Sequence, residues 1–257
     1  MDILYRDDTL VAVNKPAGLL VHRSAIDHHE TRYALQIVRD QLGRRVYPVH
    51  RLDKPTSGIL VFALDQDTAR RMTKLFAEGA VEKTYLAVVR GYTDEAGTID
   101  YALEEQLDRM TDNKALRDKP AQPAVTHYRR LGIAELPFAV GRYPTARYSL
   151  LRVSPKTGRK HQIRRHMKHI FHPVVGDTSH GDGRHNAFFR THFGCRRLLL
   201  SATSLAFAHP DTGERLRLEA PLDDSFRRIV DNLGWGDVLD EVPDPGHSDK
   251  TIYDSHT

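Results

Sequence analysis

The sequence has very little cysteine and no long apolar segment, and both shortages restrict the class of protein. One cysteine occurs among 257 residues, so the chain cannot form an internal disulfide, which excludes a disulfide-stabilised secreted scaffold. The longest apolar run, residues 59–64, is far shorter than the roughly 20 residues that a membrane span requires. The start, MDILYRDD, lacks the basic and apolar regions of a signal peptide. We therefore expect a soluble, cytoplasmic protein without membrane association.

Motifs for nucleotide cofactors and metals are missing as well. Neither GxxxxGK[ST] nor GxGxxG occurs in the sequence, so a nucleotide cofactor has no support. Four histidines, at positions 161, 166, 169 and 172, lie close together. Their spacing is not that of a zinc-binding HExxH helix, and no cysteine pair accompanies them. We expect neither a metal ion nor a cofactor.

The charge is unevenly distributed, although the net charge is only +4. Residues 142–197 contain 13 Lys or Arg and two acidic residues, Asp177 and Asp182, together with seven of the 15 histidines. A basic block of this kind in an otherwise balanced chain indicates a polyphosphate partner such as a nucleic acid. A solvated cationic surface without a partner is the alternative interpretation.

Apolar periodicity predicts more strands than helices. A helix is expected over residues 31–42, ended by Gly43, and another with Asp67 as its N-terminal cap. A last helix is expected over residues 221–233. Strands are expected over residues 3–6, 9–14, 59–64, 82–90, 125–131, 148–153, 198–200, 204–208 and 215–219. This pattern favours one mixed α/β domain, residues 1–240, on a large, mainly antiparallel sheet, followed by a mobile tail, residues 241–257.

One candidate for chemistry is the segment HRLDKPTSG, residues 50–58, which leads into the apolar strand. Pro55 and Gly58 indicate a turn, so a short polar loop is fixed against the sheet. Arg51 and Lys54 flank Asp53, and these cations favour the ionised carboxylate, which suits a nucleophile. An ordinary turn beside two solvated cations remains the alternative.

A second candidate is the segment KTGRKHQIRRHMK, residues 156–168. Ile163, Met167 and Ile170 have helical spacing and form an apolar face, while cationic side chains occupy the adjoining face. The phosphate-binding candidates are Lys156, Arg159, His161, Arg165 and Lys168. An amphipathic surface helix is the alternative. Tyr85, in the strand EKTYLAVVR, has a functional interpretation only if it faces the same cleft as Asp53, and is otherwise a core aromatic.

The segments together resemble the RluA-type pseudouridine synthase family. Those that carry the resemblance, in the order in which the family has them, are ILYRDDTLVAVNKPAGLLVH, HRLDKPTSGILVFAL, EKTYLAVVRG, SPKTGRKHQIRRH, HPVVGD and LSATSLAFAHPDTGE. QPAVTHYR, GRYPTARYSL and GDTSHGD further resemble the branch that modifies the uridine at position 65 of tRNA. Two features depart from the wider family: His180 stands where many members have Tyr, and we expect no S4 RNA-binding domain.

The resemblance implies a catalytic domain with a curved antiparallel sheet that uses neither cofactor nor metal. It also implies a role for five residues. Asp53 would be the essential carboxylate and Arg164 its ion-pair partner. Arg51 would fill the gap left by the extruded uridine, Tyr85 would stack on the base, and Ile163 would line the base pocket.

The leading hypothesis is therefore a cofactor-free isomerase, a monomer, that converts a uridine of tRNA, at position 65, to pseudouridine after base flipping. One alternative is a pseudouridine synthase that acts on ribosomal RNA. Another is an RNA-binding protein without catalytic activity that uses the same basic cleft.

Overall fold

A computed structural model describes residues 1–22, 31–104 and 120–241. The core is a ten-stranded sheet with the order β1-β2-β4-β9-β5-β8-β7-β6, to which β10 is added beside β9 and β3 beside β4. The strands are Ile3–Arg6 (β1), Leu10–Lys15 (β2), Tyr47–Pro48 (β3), Ser57–Ala63 (β4), Glu82–Arg90 (β5), Ala96–Asp100 (β6), Val125–Leu136 (β7), Ala146–Pro155 (β8), Leu200–Ala208 (β9) and Arg215–Glu219 (β10).

Helices cover both faces of this sheet. Their bounds are Ala34–Leu42 (α1), Gln66–Ala77 (α2), Gln162–His169 (α3), Gly183–His192 (α4), Asp224–Asn232 (α5) and Gly236–Glu241 (α6). In one half, α1 and α2 pack on opposite faces of β2 and β4, and in the other half α3 packs opposite α4 and α5 across β5 and β8. The continuous apolar run of β4 follows from this arrangement, because all seven of its residues are buried.

One parallel strand pair in the centre of the sheet positions the polar loop that precedes β4. β4 pairs with β9 in parallel through Gly58 and Ala202, and the other named pairs are antiparallel. Ala202 also pairs with Tyr85 on β5, and Tyr85 pairs with Val153 near the end of β8. This row therefore places Tyr85 two strands away from the point where the Asp53 loop enters the sheet.

The structure confirms the expected mixed α/β fold with its mainly antiparallel sheet, and it corrects several boundaries. Asp65, not Asp67, caps α2, since its carboxylate accepts the Thr68 amide hydrogen. The two short strands expected around residue 200 form one strand, β9. The helix expected over residues 221–233 begins later, at Asp224.

Several features lie beyond the sequence expectations. The sequence did not indicate β6 or α4. The expected tail, residues 241–257, lies outside the described residues except for its first residue. No helix in the described ranges combines the length and apolar character of a membrane span.

Replacing Gly58 by Ala tests the close approach of β4 to β9. Gly58 has φ +107°, and an added Cβ would lie 2.0 Å from the carbonyl oxygen of Ala202. Because both strain and backbone overlap result, Gly58→Ala should lower the free energy of unfolding by about 3 kcal/mol or more, measured by urea denaturation. The control is Gly183→Ala, where a Cβ meets nothing within 4 Å. Equal stability of both variants would contradict the tight packing at Gly58.

Candidate active site

Two side chains, one partly and one fully buried, hold the loop that carries Asp53. His50 accepts a hydrogen bond at Nε2 from the Val61 amide, 3.0 Å away, and stacks on the ring of Phe76. Burial, followed by the charge of Lys83, lowers the pKa of His50 to about 3, so the ring is neutral and can act as this acceptor. The histidine of the HRLD segment is thus an anchor between the loop, β4 and α2.

Lys15, which the sequence reasoning missed, is the second anchor. Its side chain is fully buried, and Nζ donates to the carbonyl oxygens of Pro16, Leu19 and Lys54 at 3.0, 2.8 and 3.2 Å. Burial lowers the pKa of Lys15 to about 7, although the nearby Asp53 opposes this shift. The available signal was the KPAG turn at the end of β2, since a lysine there can satisfy carbonyl groups that a turn leaves unpaired.

The centre of the site is a buried arginine between two carboxylates. Arg164 donates from Nη1 to Asp53 Oδ2 at 3.1 Å, and from Nε and Nη2 to both carboxylate oxygens of Asp177 at 2.7 and 2.8 Å. The side chain of Arg164 is 4% exposed, that of Asp177 is 0% exposed and that of Asp53 is 20% exposed. Asp53 is therefore the carboxylate of this triad that solvent and a substrate can reach.

Asp177 fixes the orientation of Arg164. Its carboxylate also accepts the amide hydrogens of Ser179 and His180, both at 2.9 Å. Burial on its own raises the pKa of Asp177, but the hydrogen bonds from Arg164 and the two amides outweigh it, and the pKa lies below its usual value. The sequence offered one signal for this residue, because Asp177 is one of only two acids in the basic block.

A pair of histidines adjoins Asp53 on the exposed side of the triad. His161 Nε2 lies 3.9 Å from Asp53 Oδ1, and its Nδ1 is hydrogen-bonded to His180 Nε2 at 3.0 Å. Burial lowers the pKa of His161 to about 4. The negative charge of Asp53 opposes this shift, and the positive charge of Arg164 adds to it. His161 has φ 55°, a left-handed conformation that is strained for a non-glycine residue. The strain is located at the residue that caps the N-terminus of α3 and lies next to Asp53.

Tyr85 and Ile163 form the apolar wall next to the triad. Both belong to the cluster in which α3 packs on β5 and β8, where Ile163 is buried and Tyr85 partly buried. Burial raises the pKa of Tyr85, and the negative charge of Asp53 raises it further. Tyr85 therefore faces the side of the sheet on which Asp53 lies, which the sequence interpretation required for a functional role.

Two polar side chains of α3 are structural. The side-chain oxygen of Gln162 accepts hydrogen bonds from Thr157 and from the Arg159 amide, and its nitrogen donates to Val125 O and to the Thr126 hydroxyl. His166 bonds to Thr126 and to the Tyr101 carbonyl through its two ring nitrogens. Within the described residues, no cluster of three His, Cys, Asp or Glu side chains is placed to hold a metal ion.

Within the described part of the chain, the remaining predicted site residues make no hydrogen bond or ion pair with the triad, and most of them are exposed. Arg51 is exposed. The pKa of His22 is lowered mainly by burial of His22 and also by the positive charge of Arg51. Three of the predicted phosphate-binding residues are exposed: Lys156, Arg159 and Lys168. Arg165 is partly exposed and donates to the carbonyl oxygen of Glu104 at 2.9 Å.

Comparisons with known proteins identify the family of the chain. The family model described as RNA pseudouridylate synthase matches residues 9–169, which include Asp53, Tyr85 and the triad arginine. The chain belongs to the RNA pseudouridylate synthase family. Its members are isomerases, and this one is an enzyme of that class.

Two relatives of this enzyme match over nearly their whole length. It is 52% identical to the tRNA pseudouridine synthase C of Vibrio parahaemolyticus, over 93% of the chain and 97% of the relative. It is 50% identical to the protein of the same name from Haemophilus influenzae, over 93% of the chain and 100% of the relative. Among solved structures, human RNA pseudouridylate synthase domain containing 4 is 27% identical, with a TM-score of 0.68, and 90% of this chain and 92% of that chain are covered.

Removing Arg164 tests the triad. Arg164→Ala leaves the buried Asp177 carboxylate without its partner, so the free energy of unfolding in urea at pH 7 should fall by about 3–5 kcal/mol. The difference in unfolding free energy between variant and native enzyme should become smaller as the pH falls from 7 toward 4. In the variant the unpaired Asp177 carboxylate takes up a proton over this range, whereas in the native enzyme its lowered pKa keeps it ionised.

The matched variant is the double substitution Arg164→Ala with Asp177→Asn. It removes the uncompensated charge, so we expect it to regain part of the lost stability at pH 7. A double variant that is less stable than Arg164→Ala alone would contradict the assignment of the cost to Asp177.

Proposed function

We propose that this family member converts a uridine of tRNA, at position 65, to pseudouridine, with Asp53 as the catalytic carboxylate. The observation that carries the proposal is the partly exposed Asp53, held by the buried Arg164, at the edge of an apolar wall made by Tyr85 and Ile163. This arrangement joins one charged reactive group to a surface suited to a flat pyrimidine ring.

The reaction needs few protein groups because it is an isomerisation. The N1–C1′ bond of uridine breaks, the uracil turns, and a C5–C1′ bond forms, while C5 loses a proton and N1 gains one. Asp53 can serve this rearrangement by adding to the sugar, by adding to the base or by abstracting a ribose proton. Each of these routes requires a fixed carboxylate, and the bond from Arg164 supplies the fixed position.

The uracil has to be held between bond breaking and bond making. A base in a stem leaves the stack at a cost of a few kcal/mol, which stacking and edge contacts offset. We assign the stacking contact to Tyr85 and the pocket wall to Ile163, since both border the side of the sheet that carries Asp53. The exposed Arg51 next to Asp53 is the side chain available to fill the gap in the stem.

The basic block, residues 142–197, binds the phosphates of the RNA. A-form stems are recognised through phosphates and 2′-hydroxyl groups, not through the deep groove. Lys156, Arg159, Arg165 and Lys168 lie on α3 and the loop before it, on the element that also provides Arg164. His161 adds a polar ring inside the site. The identities of about 50% to proteins named tRNA pseudouridine synthase C support tRNA as the RNA.

Replacing Asp53 tests the catalytic assignment. Asp53→Asn should abolish pseudouridine formation in an unmodified tRNA transcript, because the amide cannot act as nucleophile or base. Binding of the same transcript should stay close to that of the native enzyme, since Arg164 retains its two bonds to Asp177. Position-resolved pseudouridine detection measures the first quantity, and filter binding measures the second.

The control is Asp65→Asn, at the opposite end of β4. Asp65 caps α2, and Asn is an equally good cap, so this variant should keep full turnover. Substantial turnover by Asp53→Asn would remove Asp53 from the mechanism. Modification of ribosomal RNA in place of tRNA position 65 by the native enzyme would contradict the proposed substrate.

Replacing Lys168 tests the phosphate contact of the helix. Lys168→Ala should weaken tRNA binding and lower the slope of log K against log salt by about one unit, because one fewer counterion is released. The control is Lys74→Ala, an exposed lysine on α2 that is paired with Glu78 and lies outside the basic block. An unchanged slope for Lys168→Ala would mean that this side of α3 does not touch phosphate.

A further inference from the structure

The end of α3 differs from the ends of the other long helices. A residue with positive φ follows α1, α2, α4 and α5, and in each case it is glycine: Gly43, Gly79, Gly194 and Gly234. After α3 the residue in this position is Phe171, with φ 65°. Glycine is the usual residue here because it adopts the left-handed conformation without a steric penalty.

The hydrogen bonds show that the chain requires this conformation. The Phe171 amide donates to Lys168 O at 3.0 Å, and the His172 amide donates to Met167 O at 2.9 Å. This is the Schellman pattern, which satisfies the last carbonyl groups of a helix and needs a left-handed residue at the position of Phe171. The backbone would therefore have the same shape with glycine, at lower strain.

The phenylalanine ring is exposed, so burial of the ring does not offset this strain. Phe171 is 80% exposed, more than any other large hydrophobic residue among those described. The second non-glycine residue with positive φ in the described ranges, His161, is explained by its contacts to His180 and Asp53. Among the residues that the structure describes, no such contact accounts for Phe171.

The surroundings of Phe171 indicate what the ring contacts. The exposed Lys168 and His169 lie just before it, and residues 159–172 contain five Lys or Arg and no acid. The half-exposed ring of Tyr101 is stacked on His169, with 3.7 Å between centroids. Aromatic rings interleaved with cations are the pattern of a surface that binds RNA through stacking and phosphate contacts.

We propose that Phe171 packs its ring face against a nucleoside of the RNA substrate, next to the nucleotides held by the active site. The inference rests on the proposed function. Phe171 follows Arg164 by seven residues, about 10 Å along the helix at 1.5 Å per residue. The contacted nucleoside therefore lies within a few nucleotides of the target uridine.

The test compares three variants of the full chain with an unmodified tRNA transcript. Phe171→Gly removes the ring and the strain, so its melting temperature should stay the same or rise by up to about 4 °C. Its RNA dissociation constant should increase by about 5- to 150-fold, the range for losing one stacked ring. Because no charge is lost, the salt slope of binding should remain that of the native enzyme.

The other two variants separate the ring from its apolar area. Phe171→Tyr keeps an aromatic face and should bind RNA as the native enzyme does. Phe171→Leu keeps an exposed apolar side chain of similar strain but no ring, so it should bind as weakly as Phe171→Gly. Binding is measured in the Asp53→Asn background as well, which keeps the RNA unmodified throughout.

The outcomes distinguish this inference from the proposed function. If the native enzyme forms pseudouridine but Phe171→Gly binds RNA normally, this inference alone is wrong. Phe171→Gly could instead leave RNA affinity unchanged but change the oligomeric state of the RNA-free protein. The ring would then contact a second copy of the chain, and this result also overturns the inference. If the native enzyme forms no pseudouridine in any tRNA, the proposed function is wrong, and the inference that rests on it is overturned as well.

Discussion

The site depends on one buried guanidinium that is shared by two carboxylates. Burying a charge is tolerated only when it is paired and hydrogen-bonded, and Arg164 meets this condition through its two bonds to Asp177. A third donor of the same group is then left for Asp53. Because Asp177 holds the planar guanidinium in one orientation, the position of the Asp53 carboxylate is fixed before any substrate binds.

The loop that carries Asp53 is equally constrained from its other side. Lys15 binds the carbonyl oxygen of Lys54, and His50 binds the Val61 amide. Burial keeps His50 neutral and brings the pKa of Lys15 to about 7. These two residues act through the backbone, so the loop is rigid although its connections are polar. A reactive group in a site of this kind needs no reorganisation when it meets its substrate.

Much of the architecture could be predicted from the order of residues. The bounds of β5 and β10 are those expected, and α1 ends at Gly43 as expected. The error at α2 has a local cause, because Asp65 and Asp67 are both capable caps and only the geometry selects the first. α4 was not predicted, since its sequence, GRHNAFFRTH, has a weak apolar face and four of its residues are basic or histidine. Strand β6 is mostly exposed, so its sequence lacks the alternation of apolar and polar residues from which a strand is predicted.

The sequence by itself determined the fold class, the family and the candidate residues, because apolar periodicity and short motifs are local properties of the chain. Only the tertiary structure decided which of these residues meet. The parallel pairing of Gly58 with Ala202 brings β4 beside β9, and Tyr85 joins the same row from β5. The role of Asp177 and the exposure of Phe171 were likewise decided in three dimensions, since burial and contact depend on residues that are distant in the chain.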